Sequence, residues 1–275
     1  MSDEIIVHPT AVVEPGAELE TGVSVGAYTV IRSGVRIGKY TSIGPHCVIE
    51  GRTTIGEKNS IFQFASVGAI PQDKKYSGED SRLEIGNRNT IREFATLNIG
   101  TSGGGMVTCV GDDNLFMVYS HVGHDCSIGS HVIMANCATL AGHVTIEDYV
   151  GVGGLAAIHQ FARIGESAYL GGGAMVSLDV PPFCVAQGDR ARLFGLNLVG
   201  LKRRGLQEAQ IAALKKAYRT LFAEGLNLKE AVDRVSKEQV DSPEVGRLAA
   251  FIRASESGVC RPRGNSNYDN EEAGG

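Results

Sequence analysis

The segment from Val25 to Ile49 reads VGAYTVIRSGVRIGKYTSIGPHCVI, and it places a large apolar residue at every sixth position. The same spacing extends along the chain in both directions. The first run comprises Val7, Val13, Leu19, Val25, Ile31, Ile37, Ile43, Ile49, Ile55, Ile61, Val67 and, after a break, Ile85, Ile91 and Leu97. After a slip of one residue in phase, the second run comprises Val110, Phe116, Val122, Ile128, Met134, Leu140, Ile146, Val152, Ile158, Ile164, Leu170 and Val176. In a chain that is 43% hydrophobic, chance would give this agreement at odds of roughly 10⁻¹⁰.

A six-residue spacing is typical of a short strand followed by a turn. Such a unit cannot bury its apolar side chain alone, so successive units wind into coils whose inward residues stack as ladders. Three units per coil give a triangular prism with eighteen-residue coils about 4.8 Å apart. We therefore predict an all-β left-handed parallel β-helix, the hexapeptide-repeat prism, for residues 1–190.

Glycine often follows an apolar hit directly, and the chain contains 36 glycines among its 275 residues. Examples are Gly26, Gly38, Gly44, Gly56, Gly129 and Gly165. A chain that turns a sharp corner needs permissive backbone dihedral angles, which glycine supplies. We therefore expect these glycines to form the corners of the prism.

Breaks in the pattern divide the chain further. Two interruptions predict loops that leave the prism, at residues 69–84 and 100–109. From about residue 196 the spacing is helical, and Ser242 before Pro243 is a favourable helix start. We assign residues 191–255 to a C-terminal α-helical domain with helices over 206–223, 228–235 and 243–254. The polar residues 256–275 are predicted to be a disordered tail.

Charge and composition restrict the classes of partner. A net charge of −5 argues against a dedicated nucleic-acid-binding protein. No apolar run reaches 18 residues, so we expect no stable membrane insertion. The acidic start Met1-Ser2-Asp3-Glu4 is unlike a secretory signal, which favours a cytoplasmic location. The six cysteines form no CxxC pair and are expected to be free thiols.

Five of the seven histidines lie between residues 121 and 159. Because residues eighteen apart stack in such a prism, the sequence predicts which of these side chains meet. His124, Gly142 and Gln160 share one column, Asp125 and His143 share the next, and His159 shares the column of Gly123 and Ala141. With a rise of roughly 5 Å per coil, this group surrounds one corner. His124 lies in a turn and is expected to point outward.

This grouping favours general-base chemistry. Neutral imidazole is the natural proton acceptor near pH 7, and an adjacent carboxylate such as Asp125 can fix its tautomer. Gly142 leaves a backbone N–H unobstructed one coil from His124, where it could hold an oxyanion. The alternative is a solvated edge on which the histidines serve only as hydrogen-bonding groups.

Several segments resemble those of a known family. They are His121-Val122-Gly123-His124-Asp125-Cys126, Leu140-Ala141-Gly142-His143-Val144, Ile158-His159-Gln160-Phe161, Pro71-Gln72-Asp73 with Lys75-Tyr76, and Gly200-Leu201-Lys202-Arg203-Arg204-Gly205. Over residues 5–255 the chain is similar to the UDP-N-acetylglucosamine acyltransferases, which carry out the first committed step of lipid A biosynthesis in Gram-negative bacteria.

The resemblance implies a homotrimer with active sites between neighbouring prisms. It implies transfer of an (R)-3-hydroxyacyl chain from acyl carrier protein to the 3-position of UDP-N-acetylglucosamine, with no metal and no cofactor beyond the phosphopantetheine of the carrier. His124 would be the base, Asp125 would orient it, and the amide of Gly142 would hold the oxyanion. The implied substrate-binding residues are Gln72, Asp73, Lys75, His121, His143, His159, Gln160, Gly172, Asn197, Arg203 and Arg204. Gly172 matches the position that sets acyl length, where glycine implies a longer chain.

Alternatives stay open at this point. The chain departs from the family pattern at Asn98-Ile99, Arg190 and Val199, so transfer to a 3-amino analogue with an amide product is an alternative. A γ-carbonic-anhydrase-like metal enzyme and a hexapeptide acyltransferase that uses coenzyme A are two others. A non-catalytic β-helix would be expected to show exposed Thr or Asn ladders, which are not seen in the sequence. An acidic carrier would be steered by a basic patch that comprises Lys202, Arg203, Arg204, Lys215, Lys216 and Arg219.

Overall fold

The computed structural model describes residues 3–238 and 241–262. In chain order, its strands are β1 (Ile6–Val7), β2 (Val12–Val13), β3 (Glu18–Leu19), β4 (Ser24–Val25), β5 (Val30–Ile31), β6 (Arg36–Ile37), β7 (Ser42–Ile43), β8 (Val48–Ile49), β9 (Arg52–Ile55), β10 (Ser60–Ile61), β11 (Ser66–Ala69), β12 (Arg82–Ile85), β13 (Thr90–Ile91), β14 (Thr96–Asn98), β15 (Val107–Val110), β16 (Leu115–Phe116), β17 (His121–Val122), β18 (Ser127–Ile128), β19 (Ile133–Met134), β20 (Thr139–Leu140), β21 (Thr145–Ile146), β22 (Gly151–Val152), β23 (Ala157–Ile158), β24 (Arg163–Ile164), β25 (Tyr169–Leu170), β26 (Met175–Val176), β27 (Cys184–Gln187) and β28 (Arg192–Leu196). The helices are α1 (Leu198–Arg203), α2 (Glu208–Phe222), α3 (Leu228–Glu238) and α4 (Pro243–Arg253).

The strands form the three faces of a triangular prism. Face A is the sheet β1-β4-β7-β10-β13-β16-β19-β22-β25-β27-β28, face B is β2-β5-β8-β11-β14-β17-β20-β23-β26, and face C is β3-β6-β9-β12-β15-β18-β21-β24. Neighbouring strands within the coils are parallel and in a register of eighteen residues, as in the pairing of Val25 with Ile43. The prediction of a left-handed parallel β-helix followed by helices is confirmed.

The apolar hits form the core of the prism. From Val25 to Val176, every one of these side chains is no more than 5% exposed. The first three hits are more exposed, and Val7 reaches 39%. They lie in the first coil, which has a neighbouring coil on one side only.

Glycines after the hits have a different function from the one expected. Gly26 does not adopt a positive φ, but a Cβ there would lie 2.6 Å from the backbone nitrogen of Pro45 in the next coil. The left-handed position lies two residues later and holds large side chains, as at Tyr28 and Tyr40 with φ of 59° and 58°. The expectation that these glycines supply the turn dihedrals was therefore wrong, and they allow adjacent coils to approach closely instead.

The loops and the C-terminal part differ in extent from the sequence-based assignment. Residues 82–84 belong to β12 and residues 107–109 to β15, so the loops comprise 70–81 and 99–106. The expected domain boundary at residue 190 falls in the antiparallel hairpin of β27 and β28. A helix not expected from the sequence, α1, begins at Leu198 and packs against the other helices through its buried Leu201.

The first residues of the predicted tail are structured. Val259 and Cys260 are buried, and the Cys260 N–H donates to the carbonyl of Asp179 at 2.8 Å. These contacts add a segment across the end of the prism, so the prediction of disorder was wrong for 256–262; residues 263–275 lie outside the described residues. Within the described part of the chain, none of the helices is long and apolar enough to cross a membrane.

A ladder of buried asparagines lies inside the edge where face C passes to face A. Asn89 accepts a hydrogen bond through Oδ1 from the Asn114 N–H at 2.9 Å, and its Nδ2 donates to the carbonyl of Gly111 at 2.9 Å. Asn59 and Asn114 repeat the arrangement one coil away on either side. The ladder pairs backbone groups at the turns that would otherwise be buried without partners.

Candidate active site

The predicted residues converge on the edge where the chain passes from face B to face C, which we call the BC corner. Its successive coils carry loop 70–81, loop 99–106 and then the short turns 123–126, 141–144 and 159–162. The His143 N–H donates to the carbonyl of His124 at 2.9 Å, and the Phe161 N–H donates to that of Gly142 at 3.3 Å. The columns predicted from the eighteen-residue coil are therefore present.

His124 and Asp125 form a hydrogen-bonded pair at this corner. Nδ1 of His124 lies 2.8 Å from Oδ2 of Asp125. The imidazole is 17% exposed, whereas the carboxylate is fully buried. A carboxylate that accepts from Nδ1 fixes the tautomer that leaves Nε2 free to take a proton. As expected from the sequence, His124 points out of the core.

Loop 99–106 holds the buried carboxylate in place. Thr101 donates to Asp125 through its N–H at 2.8 Å and through its hydroxyl at 2.6 Å. The Asp125 N–H donates to the hydroxyl of Thr108 at 2.8 Å, and the side chain of Asp125 fills the space that a Cβ on Gly104 would need. These residues were not predicted from the sequence, although the phase slip at this loop marked an irregularity beside the turn of Asp125.

Gly142 makes room for the imidazole. A Cβ on Gly142 would lie 2.5 Å from both Cε1 and Nε2 of His124. The carbonyl of Gly142 accepts from Phe161, while its N–H donates to no acceptor among the described residues. A bare amide beside Nε2 is suited to hold a negative charge that develops close to the base.

His143 completes the corner one coil away. Its ring meets that of His124 edge-on at 5.0 Å between centroids and stacks on Phe161 at 4.4 Å. Burial lowers the pKa of His143, against the opposing effect of the Asp125 carboxylate, whose Oδ2 is 3.9 Å from Nδ1 of His143. Its neutral form can therefore donate or accept a hydrogen bond at neutral pH.

His121 lies on face B beside the corner. Its Nδ1 is 2.7 Å from the hydroxyl of Thr96. Burial, with a smaller contribution from His124, lowers the pKa of His121. The side chain is therefore a neutral hydrogen-bonding group that Thr96 orients.

The remaining predicted residues of the BC corner are more exposed. His159 and Gln160 lie in the turn 159–162, where Nδ1 of His159 is 3.1 Å from the carbonyl of Gln160. Gln72, Asp73 and Lys75 lie in loop 70–81, where Asp73 accepts from the Lys75 N–H at 2.9 Å. The negative charge of Asp73 acts to raise the pKa of His143, which places this loop near the histidines.

The other predicted residues lie elsewhere on the prism. Asn197 is the N-cap of α1. Its Oδ1 accepts from the N–H of Gly200 at 3.0 Å, and its Nδ2 donates to the backbone carbonyl of Ser167 at 2.9 Å. Arg203 borders a groove of about 730 Å³ over face A, the face opposite the BC corner. Gly172 is exposed on the edge between faces A and B, where a Cβ would meet only ordinary contacts.

Arg204 has a structural role in this chain. Its guanidinium lies 3.9 Å from the ring centroid of Tyr149 and donates to Glu166 at 2.7 Å and to the hydroxyl of Ser167. Glu166 is almost fully buried and also pairs with Arg247 of α4. Because these contacts dock the helices on the prism, Arg203 is the better candidate for contact with substrate.

Among the described residues, the site also brings together groups that could ligate a metal ion. The ligand-type atoms of His124, Asp125 and His143 lie within 4.8 Å of one another. However, Oδ2 of Asp125 is fully buried and already accepts from Thr101 and His124. This arrangement suits a base and its orienting carboxylate better than an open metal site.

Comparisons with known proteins agree with this geometry. Residues 179–260 match the family model described as Udp N-acetylglucosamine O-acyltransferase, Domain 2. The chain is 54% identical over 255 residues to an acyl-[acyl-carrier-protein]--UDP-N-acetylglucosamine O-acyltransferase of Myxococcus xanthus, with 93% of this chain and 99% of the relative covered. The protein of that name from Janthinobacterium sp. is 52% identical over 260 residues, with the same coverage.

Solved structures give the same result. LpxA of Acinetobacter baumannii superposes with a TM-score of 0.91 at 42% identity, covering 93% of this chain and 100% of that one. The UDP-N-acetylglucosamine acyltransferase of Campylobacter jejuni superposes with a TM-score of 0.89 at 41% identity, covering 94% and 100%. The similarity extends over both the prism and the helices.

Proposed function

The chain belongs to the UDP-N-acetylglucosamine O-acyltransferase family, and we propose that it transfers an (R)-3-hydroxyacyl chain from acyl carrier protein to the 3-hydroxyl of UDP-N-acetylglucosamine. This reaction is the first step of lipid A biosynthesis. The observation that carries the proposal is the grouping of His124, Asp125 and the bare amide of Gly142 at one corner of the prism. The names of the relatives support the ester product over the amide and over a metal enzyme.

The geometry supports a direct transfer. The sugar hydroxyl attacks the thioester carbonyl while Nε2 of His124 takes its proton, and the imidazolium is stabilised by Asp125. The carbonyl oxygen becomes negative in the tetrahedral intermediate, and the N–H of Gly142 donates to it. As the intermediate collapses, the C–S bond breaks and His124 returns its proton to the phosphopantetheine thiolate. The step needs no cofactor other than that carrier group.

The surrounding side chains position the substrates. Asp73 and Lys75 on their loop, with Gln72, offer charged and polar contacts to the amino sugar. His121 and His143, both kept neutral by burial, and Gln160 and His159 offer hydrogen bonds around the reacting groups. Gly172 leaves its edge of the prism open, which supports a longer acyl chain.

A complete site needs more than one chain. Arg203 lies over face A, whereas His124 lies on the opposite corner of the same prism. No single prism can bring the two together, but face A of a neighbouring prism can lie against the BC corner. This separation supports the homotrimer, with the nucleotide held between chains by Arg203 and near the Asn197 cap.

Acyl carrier protein is acidic and needs a basic docking surface. Lys202, Arg203, Lys215 and Arg219 are exposed on α1 and α2, whereas Arg204 is paired with Glu166 and Lys216 with Glu238. The exposed group supports carrier docking at the helices. Both substrates are water-borne, which supports the cytoplasmic location predicted from the sequence.

The experiment is to incubate the protein with a panel of hydroxyacyl carrier proteins and either UDP-N-acetylglucosamine or its 3-amino analogue, and to identify the product by mass. We expect the ester. His124→Ala should lower turnover by a factor of at least about 10² while the fold is retained. The control is His8→Ala, because His8 is exposed in the first coil. An amide as the only product, or full turnover by His124→Ala, would contradict the proposal.

A further inference from the structure

Two loops leave the BC corner on successive coils, and their relative position determines the geometry of the site. Loop 70–81 carries the proposed substrate-binding residues Asp73 and Lys75. Loop 99–106 holds the Asp125 carboxylate through Thr101. Any contact between the loops therefore fixes the substrate-binding side chains relative to the base.

One side chain joins the two loops away from the points where they leave the prism. Oε1 of Glu79 accepts from the N–H of Ser102 at 3.2 Å and from its hydroxyl at 3.1 Å. Oε2 of Glu79 accepts from the N–H of Ser77 at 2.7 Å and from its hydroxyl at 3.3 Å. Among the described residues, no other side chain of loop 70–81 hydrogen-bonds to loop 99–106.

The other attachments of loop 70–81 lie at its ends and at Tyr76. Asn98 donates to the carbonyls of Ala69 and Ile70 at 3.3 and 3.2 Å, which fixes the start of the loop. Tyr76 packs against the prism core, and Asp80 pairs with Arg52. None of these contacts reaches loop 99–106, so they do not set the distance between the two loops.

The chemistry of Glu79 suits this role. Backbone N–H groups, its own first and then that of Ser77, lower the pKa of Glu79 to about 2. The carboxylate is therefore ionised over the working pH range, and both of its oxygens can accept hydrogen bonds at once. An amide has only one such oxygen, so glutamine cannot reproduce both halves of the contact.

We propose that Glu79 is a positioning residue that clasps loop 70–81 to loop 99–106 and thereby holds Asp73 and Lys75 in register with the His124–Asp125 pair. The inference rests on the proposed function, which gives Asp73 and Lys75 a substrate to bind. Glu79 acts through the loops rather than on the reacting atoms. Its loss should therefore weaken acceptor binding more than the chemical step.

Steady-state kinetics of Glu79→Gln, Ser102→Ala and the double variant test this role. We expect the KM for UDP-N-acetylglucosamine to rise about 5- to 20-fold in Glu79→Gln and by a smaller factor in Ser102→Ala, which keeps the backbone N–H of residue 102 as a donor to Glu79, with kcat within about threefold of the unaltered enzyme in both. Because both residues make the same contact, the double variant should show little loss beyond that of Glu79→Gln. The matched control is Glu84→Gln, since Glu84 is exposed on β12 and pairs with Arg82.

Trypsin cleavage after Lys74 and Lys75 measures whether the two loops are joined, independently of enzyme activity. Release of the loop should speed cleavage there by about fivefold or more in Glu79→Gln, with no change in Glu84→Gln. An unchanged cleavage rate, or an unchanged KM in an active enzyme, would overturn the proposal. If the unaltered chain formed no product, the proposed function would fail while the cleavage rates would still decide whether Glu79 joins the loops.

Discussion

Gly142 contributes to the site because it has no side chain. The ring of His124 lies over its Cα, in the volume that any Cβ would occupy. The backbone of Gly142 does not have a positive φ, so alanine could adopt the same conformation. The requirement for glycine there is therefore one of space around the base rather than of backbone freedom.

Gly142→Ala should displace the imidazole of His124 and lower kcat by at least about 10²-fold, because displacements near 1 Å at a reacting group have effects of that size. The measurement is kcat at saturating substrates, with circular dichroism to show that the prism is retained. Gly246→Ala is the control, since a Cβ at Gly246 meets nothing within 4 Å. Full activity in Gly142→Ala would show that His124 does not need the space that this glycine leaves.

Two partly buried histidines should make stability depend on pH. The folded-state pKa values of His121 and His143 are lowered by burial, so the unfolded chain binds more protons than the folded one as the pH falls below about 6.5. Their contribution is complete above that pH and is lost as the pH falls through the folded pKa values. The free energy of unfolding should decrease by up to about 1.4 kcal/mol per pH unit for each histidine.

Urea unfolding at pH 7.5 and 5.5, at a fixed protein concentration, measures this dependence. His121→Gln removes one titrating group, so the loss of unfolding free energy between the two pH values should be smaller in that variant. An equal loss with and without His121 would show that its burial does not couple protonation to folding.

At the scale of single elements, the prism coil is stabilised by its buried asparagines as well as by its apolar hits. Asn89 is 1% exposed, its side chain hydrogen-bonds to the backbone of the next coil at Gly111 and Asn114, and its own N–H donates to the side chain of Asn59 in the preceding coil. A buried side chain that pairs backbone groups across coils stabilises the stack in a way that apolar side chains cannot. This internal ladder was not predicted from the sequence, in which only exposed ladders of such residues were considered.

Asn89→Ala should lower the free energy of unfolding by about 2–4 kcal/mol, because it leaves the Asn114 N–H and the Gly111 carbonyl buried without partners. The comparison variant is Asn136→Ala, whose exposed position should make the change smaller than about 0.5 kcal/mol. Denaturant midpoints measured for both variants check the difference. Equal midpoints would show that water replaces the ladder at little cost.

The regular coil explains which parts of the site could be predicted from sequence. Stacking of His124 on Gly142, and of Asp125 on His143, follows from the eighteen-residue spacing alone. The contact of Thr101 with Asp125 could not be predicted, because loop 99–106 breaks the spacing and its path depends on three-dimensional packing. The contact between Glu79 and Ser102 could not be predicted either, because both residues lie in loops outside the regular coils.

At the scale of the whole molecule, the rigid prism keeps the two halves of the proposed site apart. His124 is fixed to the BC corner and Arg203 to the groove over face A. Stacked parallel coils cannot fold back to join them, since every coil is hydrogen-bonded to its neighbours. A site that uses both residues must therefore take them from different chains.

Mixed assemblies of the proposed homotrimer test this requirement directly. His124→Ala and Arg203→Ala should each be strongly impaired when assayed alone at low substrate concentration. If equal amounts are unfolded and refolded together, a given site receives an intact His124 with probability one half and an intact Arg203 from the neighbouring chain with probability one half. About a quarter of the sites are then complete, so activity should recover to about a quarter of that of the unaltered enzyme.

A site built within one chain gives a different result. Every chain in the mixture carries one of the two changes, so none would contain a complete site, and the mixture would show no more activity than the average of its two components. Mixing without refolding controls for slow exchange of chains. A variant with both changes, refolded with the unaltered enzyme, should give about a quarter of full activity if the site spans two chains and about a half if it lies within one chain. Recovery near a quarter in the first mixture would require that the residues meet across an interface between chains.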